Sequence, residues 1–223
     1  MIAITGGSGS GKTTLARALV SRLGEGNCAL ITEDHYYLPR DRQSPQATGW
    51  SNEEVEARIN FDDPGSKDMA LFREQLTLLR KGEAIDQPVY DFAAHNRIVG
   101  ASHRVEARPV VIVEGVHVLS DPSFRPLFDL TVFVDAAADL RLIRRIRRDG
   151  AERGRSAERV IRQYLAFVRA AHAAYTEPAR QICDLVVADD GPTICDEVAP
   201  SGAAIDNLVA PVWARIEAML GDL

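Results

Sequence analysis

One string of eight residues constrains this chain more than any other feature: Gly6-Gly7-Ser8-Gly9-Ser10-Gly11-Lys12-Thr13. It fits G-x-x-x-x-G-K-[ST], and its flanks matter as much as the string. Met1 to Thr5 is apolar and β-branched, whereas Leu15, Ala16, Leu19, Val20 and Leu23 recur at helical spacing before Gly24. Strand, glycine loop and helix form the setting in which successive backbone N–H groups curl around phosphates and a helix N-terminus adds partial positive charge. Gly6, Gly7, Ser8, Gly9, Ser10, Gly11, Lys12, Thr13 and Thr14 are therefore the candidate nucleotide-binding set. Lys12 would reach the β- and γ-phosphates, and the Thr13 hydroxyl would bind a Mg²⁺ ion bridging them. A dinucleotide G-x-G-x-x-G is excluded, because Lys12 and Thr14 stand where its third glycine would fall.

Four further apolar runs read as strands: Cys28 to Thr32, Val110 to Val113, Leu130 to Val134 and Leu185 to Val187. Continuous runs of this length suit a parallel sheet buried on both faces, so the expected fold class is α/β, a three-layer P-loop NTPase fold with a mostly parallel five-stranded sheet. Acids sit at the carboxyl ends of these strands, where open α/β sheets bind ligands. Glu114 beside the glycine loop is a candidate Mg²⁺ ligand with Thr13. Asp34, at the end of a neighbouring run, is a candidate to orient an acceptor hydroxyl and take its proton, and a candidate metal carboxylate.

Residues 36–105 form an insert far longer than an ordinary connection, with a helical stretch near Asp68 to Arg80 and several aromatic residues; it is expected to build an acceptor pocket. Residues 137–149 read as a helix with Leu140, Ile143 and Ile146 on its apolar side, and 157–174 as another. Residues 150–156 read as the polar turn between them, giving a lid over about 145–160. Seven arginines fall in this region: Arg141, Arg144, Arg145, Arg147, Arg148, Arg153 and Arg155. A solvated helix face is one reading, convergence of Arg144, Arg148, Arg153 and Arg155 on a triphosphate is another, and nucleic-acid binding is a third, weakened by the net charge and by the absence of other basic runs. Residues 188–204 read as a surface loop before a closing helix carrying Leu208, Val212, Ile216 and Leu220.

Composition narrows the function. With 223 residues, the chain is expected to be a single domain carrying inserts, or at most two small domains, and 26 Lys and Arg against 32 Asp and Glu give a net charge of −6, which disfavours nucleic acid and anionic membrane as partners. Cys28, Cys183 and Cys195 make no C-x-x-C pair, so a reducing cytoplasmic setting fits better than a disulfide framework. Five histidines lack H-E-x-x-H spacing, which argues against zinc. Asp62-Asp63-Pro64-Gly65 matches D-x-x-G, but no N-K-x-D accompanies it, so a switch GTPase is not supported.

The ordered set of fragments resembles the uridine kinase family, related to phosphoribulokinase and pantothenate kinase. Beyond the glycine loop the similar segments are Asp34-His35-Tyr36-Tyr37, Asn60-Phe61-Asp62, Gln87-Pro88-Val89-Tyr90-Asp91-Phe92 with His95 and Arg97, Glu114-Gly115, Val134-Asp135, Arg144-Arg145, Arg148-Asp149, Glu152-Arg153-Gly154-Arg155 and Gln163-Tyr164. The resemblance implies a kinase that moves the ATP γ-phosphate to the 5′-hydroxyl of a pyrimidine ribonucleoside, uridine or cytidine, with Mg²⁺ as cofactor. It implies Asp34 as base and Asp62 as the holder of the ribose hydroxyls. Phe61, Tyr90, Phe92, His95 and Tyr37 would surround the base. Arg145, Arg155 and Gln163 would touch the nucleoside or its phosphates, and Arg148 and Arg153 would be lid arginines on the triphosphate. Partners are then the nucleoside and ATP, with homo-oligomer formation left open. The chain departs from the pattern after Asp62: the family has histidine, proline, a small residue and then an aromatic residue or leucine, whereas here Asp63-Pro64-Gly65-Ser66-Lys67 follows. A kinase of another small alcohol, such as a sugar phosphate or pantothenate, and an ATPase switch module are the competing readings.

Overall fold

The computed structural model describes residues 1–24, 26–189 and 202–221. Seven strands form among these residues: β1 (Ile2–Thr5), β2 (Cys28–Thr32), β3 (Ile85–Asp91), β4 (Asn96–Val105), β5 (Val110–Glu114), β6 (Leu130–Asp135) and β7 (Leu185–Ala188). Five make an all-parallel sheet in the order β2-β5-β1-β6-β7, with β1 at its centre. Every residue of β1 and β5 is buried, as strands covered on both faces require. This arrangement bears out the α/β sheet expected from the apolar runs.

One face of the sheet packs on α1 (Lys12–Leu23) and α8 (Gly202–Gly221) through Leu15, Leu19, Val212 and Ile216. Leu220 is exposed, so the closing helix buries less of its length than its periodicity implied. The other face packs on α4 (Met69–Arg80), through Phe72, Leu76 and Leu79, and on Phe124 and Phe128. Asp68 caps α4 by accepting a hydrogen bond from the Leu71 N–H at 3.2 Å.

Between β2 and β5 the insert holds α2 (Arg40–Gln43), α3 (Asn52–Arg58), α4 and the antiparallel β3-β4 hairpin. A reciprocal capping box between Ser51 and Glu54 starts α3. After β6, α5 runs Ala138–Arg153, longer than expected: Gly150 lies inside the helix, and Gly154, at φ 62°, ends it. The turn is therefore residues 154–156. Beyond it, α6 (Ala157–Gln163) and α7 (Arg169–Ala171) are joined and extended by two π-type turns, Tyr164–Val168 and His172–Thr176. Most of the surface loop expected at 188–204 lies outside the described residues. Among the described residues no helix is long and apolar enough to cross a membrane.

Candidate active site

The glycine loop turns between β1 and α1 because its backbone goes where side chains cannot. Gly6 and Gly9 have φ of 143° and 82°, and a Cβ on either would overlap a carbonyl oxygen, Val134 O or Arg141 O. Lys12 follows as the first residue of α1, nearly buried. Burial lowers its pKa, with Arg148 and Lys67 adding to the effect, against the opposing carboxylates of Glu114 and Asp34. A phosphate entering the loop would therefore meet a lysine already surrounded by the other groups of the site. Among the described residues Ser10 Oγ, which is buried, has no hydrogen-bond partner, as a group aimed at an incoming oxygen would have none.

Thr13 and Glu114 come together as their positions on the loop and on β5 implied: the Thr13 hydroxyl donates to Glu114 Oε2 at 3.2 Å. Burial raises the Glu114 pKa, although Lys12 opposes it. A hydroxyl and a carboxylate are hard oxygen donors, suited to Mg²⁺ that draws its remaining ligands from phosphates and water. No cluster of three or more His, Cys, Asp or Glu fit for a metal occurs among the described residues, so the pair fits a nucleotide-borne Mg²⁺ rather than an all-protein cage.

Asp34 lies in the short 3₁₀ turn that follows β2, at the same edge of the sheet. Its side chain is 35% exposed, and Lys67 Nζ donates to Oδ1 at 2.9 Å. Burial pushes this carboxyl up, but Lys67 and Lys12 outweigh it and hold the group well below the usual carboxylate range. The same Lys67 ammonium lies 3.1 Å from Glu33 Oε1. Neither Glu33 nor Lys67 is among the site residues expected from the sequence. Glu33 was visible as a strand-end acid, whereas nothing local announces that Lys67 folds back onto it.

The insert supplies an aromatic wall. Tyr37 packs edge-on to Phe61 at 5.6 Å and tilted to Tyr90 at 5.1 Å; Tyr90 meets Phe92 at 5.2 Å, and Phe61 stacks on His95 at 5.5 Å. His95 adopts a left-handed φ of 50° in the hairpin turn, which histidine tolerates better than branched residues. The Tyr90 hydroxyl is buried and has no hydrogen-bond partner among the described residues. Asp62, half-buried beside Phe61, has Oδ1 3.7 Å from Arg145 Nη1. The five aromatic and imidazole side chains expected around a base are thus one cluster, with the acid expected at the sugar adjacent to it.

The arginine segment differs from expectation in an informative way. The face α5 buries is Arg141, Arg145 and Asp149, at i, i+4 and i+8, while Ile143 is 44% exposed. Burying guanidiniums is tolerable only with compensating charge, and Asp149, fully buried, provides it. It receives Arg148 at 2.7 Å and lies 3.3 Å from Arg155, 3.5 Å from Arg153 and 3.7 Å from Arg145. Arg145 and Arg155 also donate to Gln163 Oε1, at 2.8 and 3.4 Å. Arg153 spreads over the Phe92 ring at 5.2 Å. Arg144, expected near a triphosphate, pairs with Asp189 at 2.9 Å beside the glycine loop. Glu56 of α3 ties the insert to the turn between α5 and α6 and to α6 itself, bonding His95 at 2.8 Å, Arg155 at 3.1 Å and Arg159 at 2.8 Å. Glu56 and Asp189 went unassigned in the sequence because their partners lie far along the chain, whereas the arginines around Asp149 are all within six residues of it and only its burial sets it apart.

The model of the Phosphoribulokinase / Uridine kinase family matches residues 1–193. The chain belongs to this family. A uridine kinase of Alkaliphilus metalliredigens is 42% identical over 216 residues, covering 97% of this chain and 96% of its own length. A uridine kinase of Chloroflexus aggregans is 40% identical over 224 residues, covering 98% and 97%. Phosphoribulokinase from Rhodobacter spheroides superposes with a TM-score of 0.59 at 16% identity, over 90% of this chain and 75% of that one, a likeness of fold. The glycine loop, the Thr13–Glu114 pair and this family together make the chain a P-loop kinase.

Proposed function

We propose that this kinase transfers the γ-phosphate of ATP to the 5′-hydroxyl of a pyrimidine ribonucleoside, uridine in the first instance. The observation that carries the reading is Asp34: a carboxylate kept ionised by Lys67 and Lys12, open on one side, between the phosphate loop and the aromatic cluster of the insert. Full-length relatives that are uridine kinases support the choice of acceptor. In the proposed reaction the loop amides and Lys12 hold the β- and γ-phosphates. Thr13 and Glu114, with Asp34 nearby, would hold Mg²⁺, which when bound neutralises phosphate charge.

The acceptor O5′ forms a bond to Pγ as the bond from Pγ to the β–γ bridging oxygen breaks, the electron pair leaving with ADP. The hydroxyl proton goes to Asp34. Because phosphoryl transfer passes through a loose transition state, a carboxylate of low basicity can serve, its main task being to orient the hydroxyl. Asp62 would accept hydrogen bonds from the ribose hydroxyls, and Tyr37, Phe61, Tyr90, Phe92 and His95 would enclose the base. Arg145, Arg155 and Gln163 would line the same pocket, and Arg148 and Arg153 would close on the transferring group. The free thiols of Cys28 and Cys183 fit a cytoplasmic setting. A product-resolved screen of nucleosides and small alcohols with Mg·ATP tests the reading: uridine or cytidine monophosphate as the fastest product supports it, and faster turnover of a non-nucleoside alcohol contradicts it.

A further inference from the structure

Lys67 ends the segment that departs from the family pattern after Asp62, and its surroundings show what it does. Its side chain is 1% exposed, and a buried ammonium is tolerated only with close carboxylates. Glu33 Oε1 lies at 3.1 Å and Asp34 Oδ1 at 2.9 Å, with the Tyr37 ring 4.6 Å from the charge. Glu33 is itself fully buried, and its Oε2 accepts the His117 N–H at 2.9 Å. A Cβ at position 115 would overlap the Glu33 side chain, so Gly115 makes the space this acid needs.

The turn that carries Lys67 is equally fixed. Asp63 accepts the Gly65 N–H at 2.8 Å, and Ser66 Oγ donates to Phe61 O at 3.1 Å. Backbone bonds from Leu38 N to Ser66 O, 2.9 Å, and from Asp68 N to Tyr36 O, 2.8 Å, stitch the turn to the segment bearing Asp34. A chain of contacts therefore runs from the loop after β5 through Glu33 and Lys67 to Asp34 Oδ1.

We propose that Lys67 is a positioning residue for phosphoryl transfer: anchored by Glu33, its ammonium holds Asp34 by Oδ1 and leaves Oδ2 for the acceptor hydroxyl. This rests on the reading of Asp34 as the group that receives the acceptor proton. An apolar side chain without a donor could not restrain a carboxylate in this way. Misplacement of a reacting group by about 1 Å costs on the order of 10²-fold in rate, so the effect belongs to kcat and not to ATP binding.

The test compares Lys67→Met, Lys67→Arg, Asp34→Asn and the double variant Glu33→Gln/Lys67→Met, measuring kcat, KM, ATP affinity and melting temperature with uridine, or with whichever alcohol the wild type phosphorylates best. The double variant matters because Lys67→Met alone leaves two buried carboxylates without their cation and could fail to fold. Expected are losses of roughly 30- to 100-fold in kcat for Lys67→Met and for the double variant, with ATP affinity unchanged. Lys67→Arg should recover most of the rate. A double variant within threefold of wild-type kcat, or a folded Lys67→Arg as slow as Lys67→Met, overturns the proposal. Full turnover by Asp34→Asn overturns the reading of Asp34 itself, whereas a slow Asp34→Asn beside a fully active Lys67→Met overturns only the role of the lysine.

Discussion

Asp149→Asn removes one charge and almost no volume, and the structure says how much that charge holds. The carboxylate has no exposure and faces Arg148, Arg155, Arg153 and Arg145 within 3.7 Å. Burial raises its pKa, but Arg148, Arg153 and Arg145 outweigh this and keep the group ionised. Breaking a buried ion pair by removing one partner costs about 3–5 kcal/mol. The Arg148 and Arg153 side chains stay 34% and 21% exposed, so water takes over part of their stabilisation and the low end, about 3 kcal/mol, applies. For a chain of this length each kcal/mol lowers the melting temperature by roughly 2–4 °C, which places the expected drop at roughly 6–12 °C. Scanning calorimetry at pH 7 without ligand measures it. Turnover should fall too, since the same carboxylate spaces Arg148 and Arg153, the guanidiniums proposed to close on the transferring phosphate. A melting temperature within about 2 °C of wild type would mean that the four arginines do not depend on Asp149, and the reasoning about the buried face of α5 would fail.

Asp34→Asn should lower kcat by on the order of 10²-fold or more while nucleoside and ATP binding survive; unchanged kcat with a raised KM would make Asp34 a binding residue only. Asp62 predicts discrimination between sugars: kcat/KM for uridine should exceed that for 2′-deoxyuridine by roughly 10²-fold, and Asp62→Ala should lower activity and shrink the ratio together, whereas equal rates in wild type would refute the ribose contact. Acid should weaken the fold through carboxylates whose folded-state pKa is depressed. Hydrogen bonding from Arg80 holds Asp129 at about 2, and in Glu56 burial is outweighed by His95, Arg159 and Arg155 to give about 2 as well. Their stabilisation is complete above the unfolded values near 4 and is lost as pH falls from about 4 to about 2, so the combined variant Asp129→Asn/Glu56→Gln should lose less stability than wild type across that window; parallel melting curves would contradict it.

The glycine loop, the five strands of the parallel sheet and the strand-end acids Asp34 and Glu114 were legible because each is a local pattern: a motif in its setting, or an apolar run ending in a carboxylate. The β3-β4 hairpin was not, since most of β4 is exposed and Ile98 and Val99 point their apolar surface outward instead of into a core. Helix α5 misled for a related reason. Its isoleucines suggested the buried side, yet Ile143 is exposed and the charged stripe of Arg141, Arg145 and Asp149 is inside, where Asp149 pairs with Arg145, Arg148, Arg153 and Arg155 and Arg141 donates to Ala136 O. Lys67 shows the limit most clearly. As a sequence feature it was a departure beside Asp62, and only the fold brings its ammonium between Glu33 and Asp34.

The central claim, transfer of the γ-phosphate to a nucleoside 5′-hydroxyl by a site built on Lys12 and Asp34, is tested most directly by single-turnover transfer from γ-labelled ATP to uridine with the product identified chemically. The account predicts labelled uridine 5′-monophosphate from the wild type, and its loss in a Lys12→Ala variant that still melts like the wild type. Label released only as inorganic phosphate, or label on a different hydroxyl or a different acceptor in preference to uridine, would contradict it.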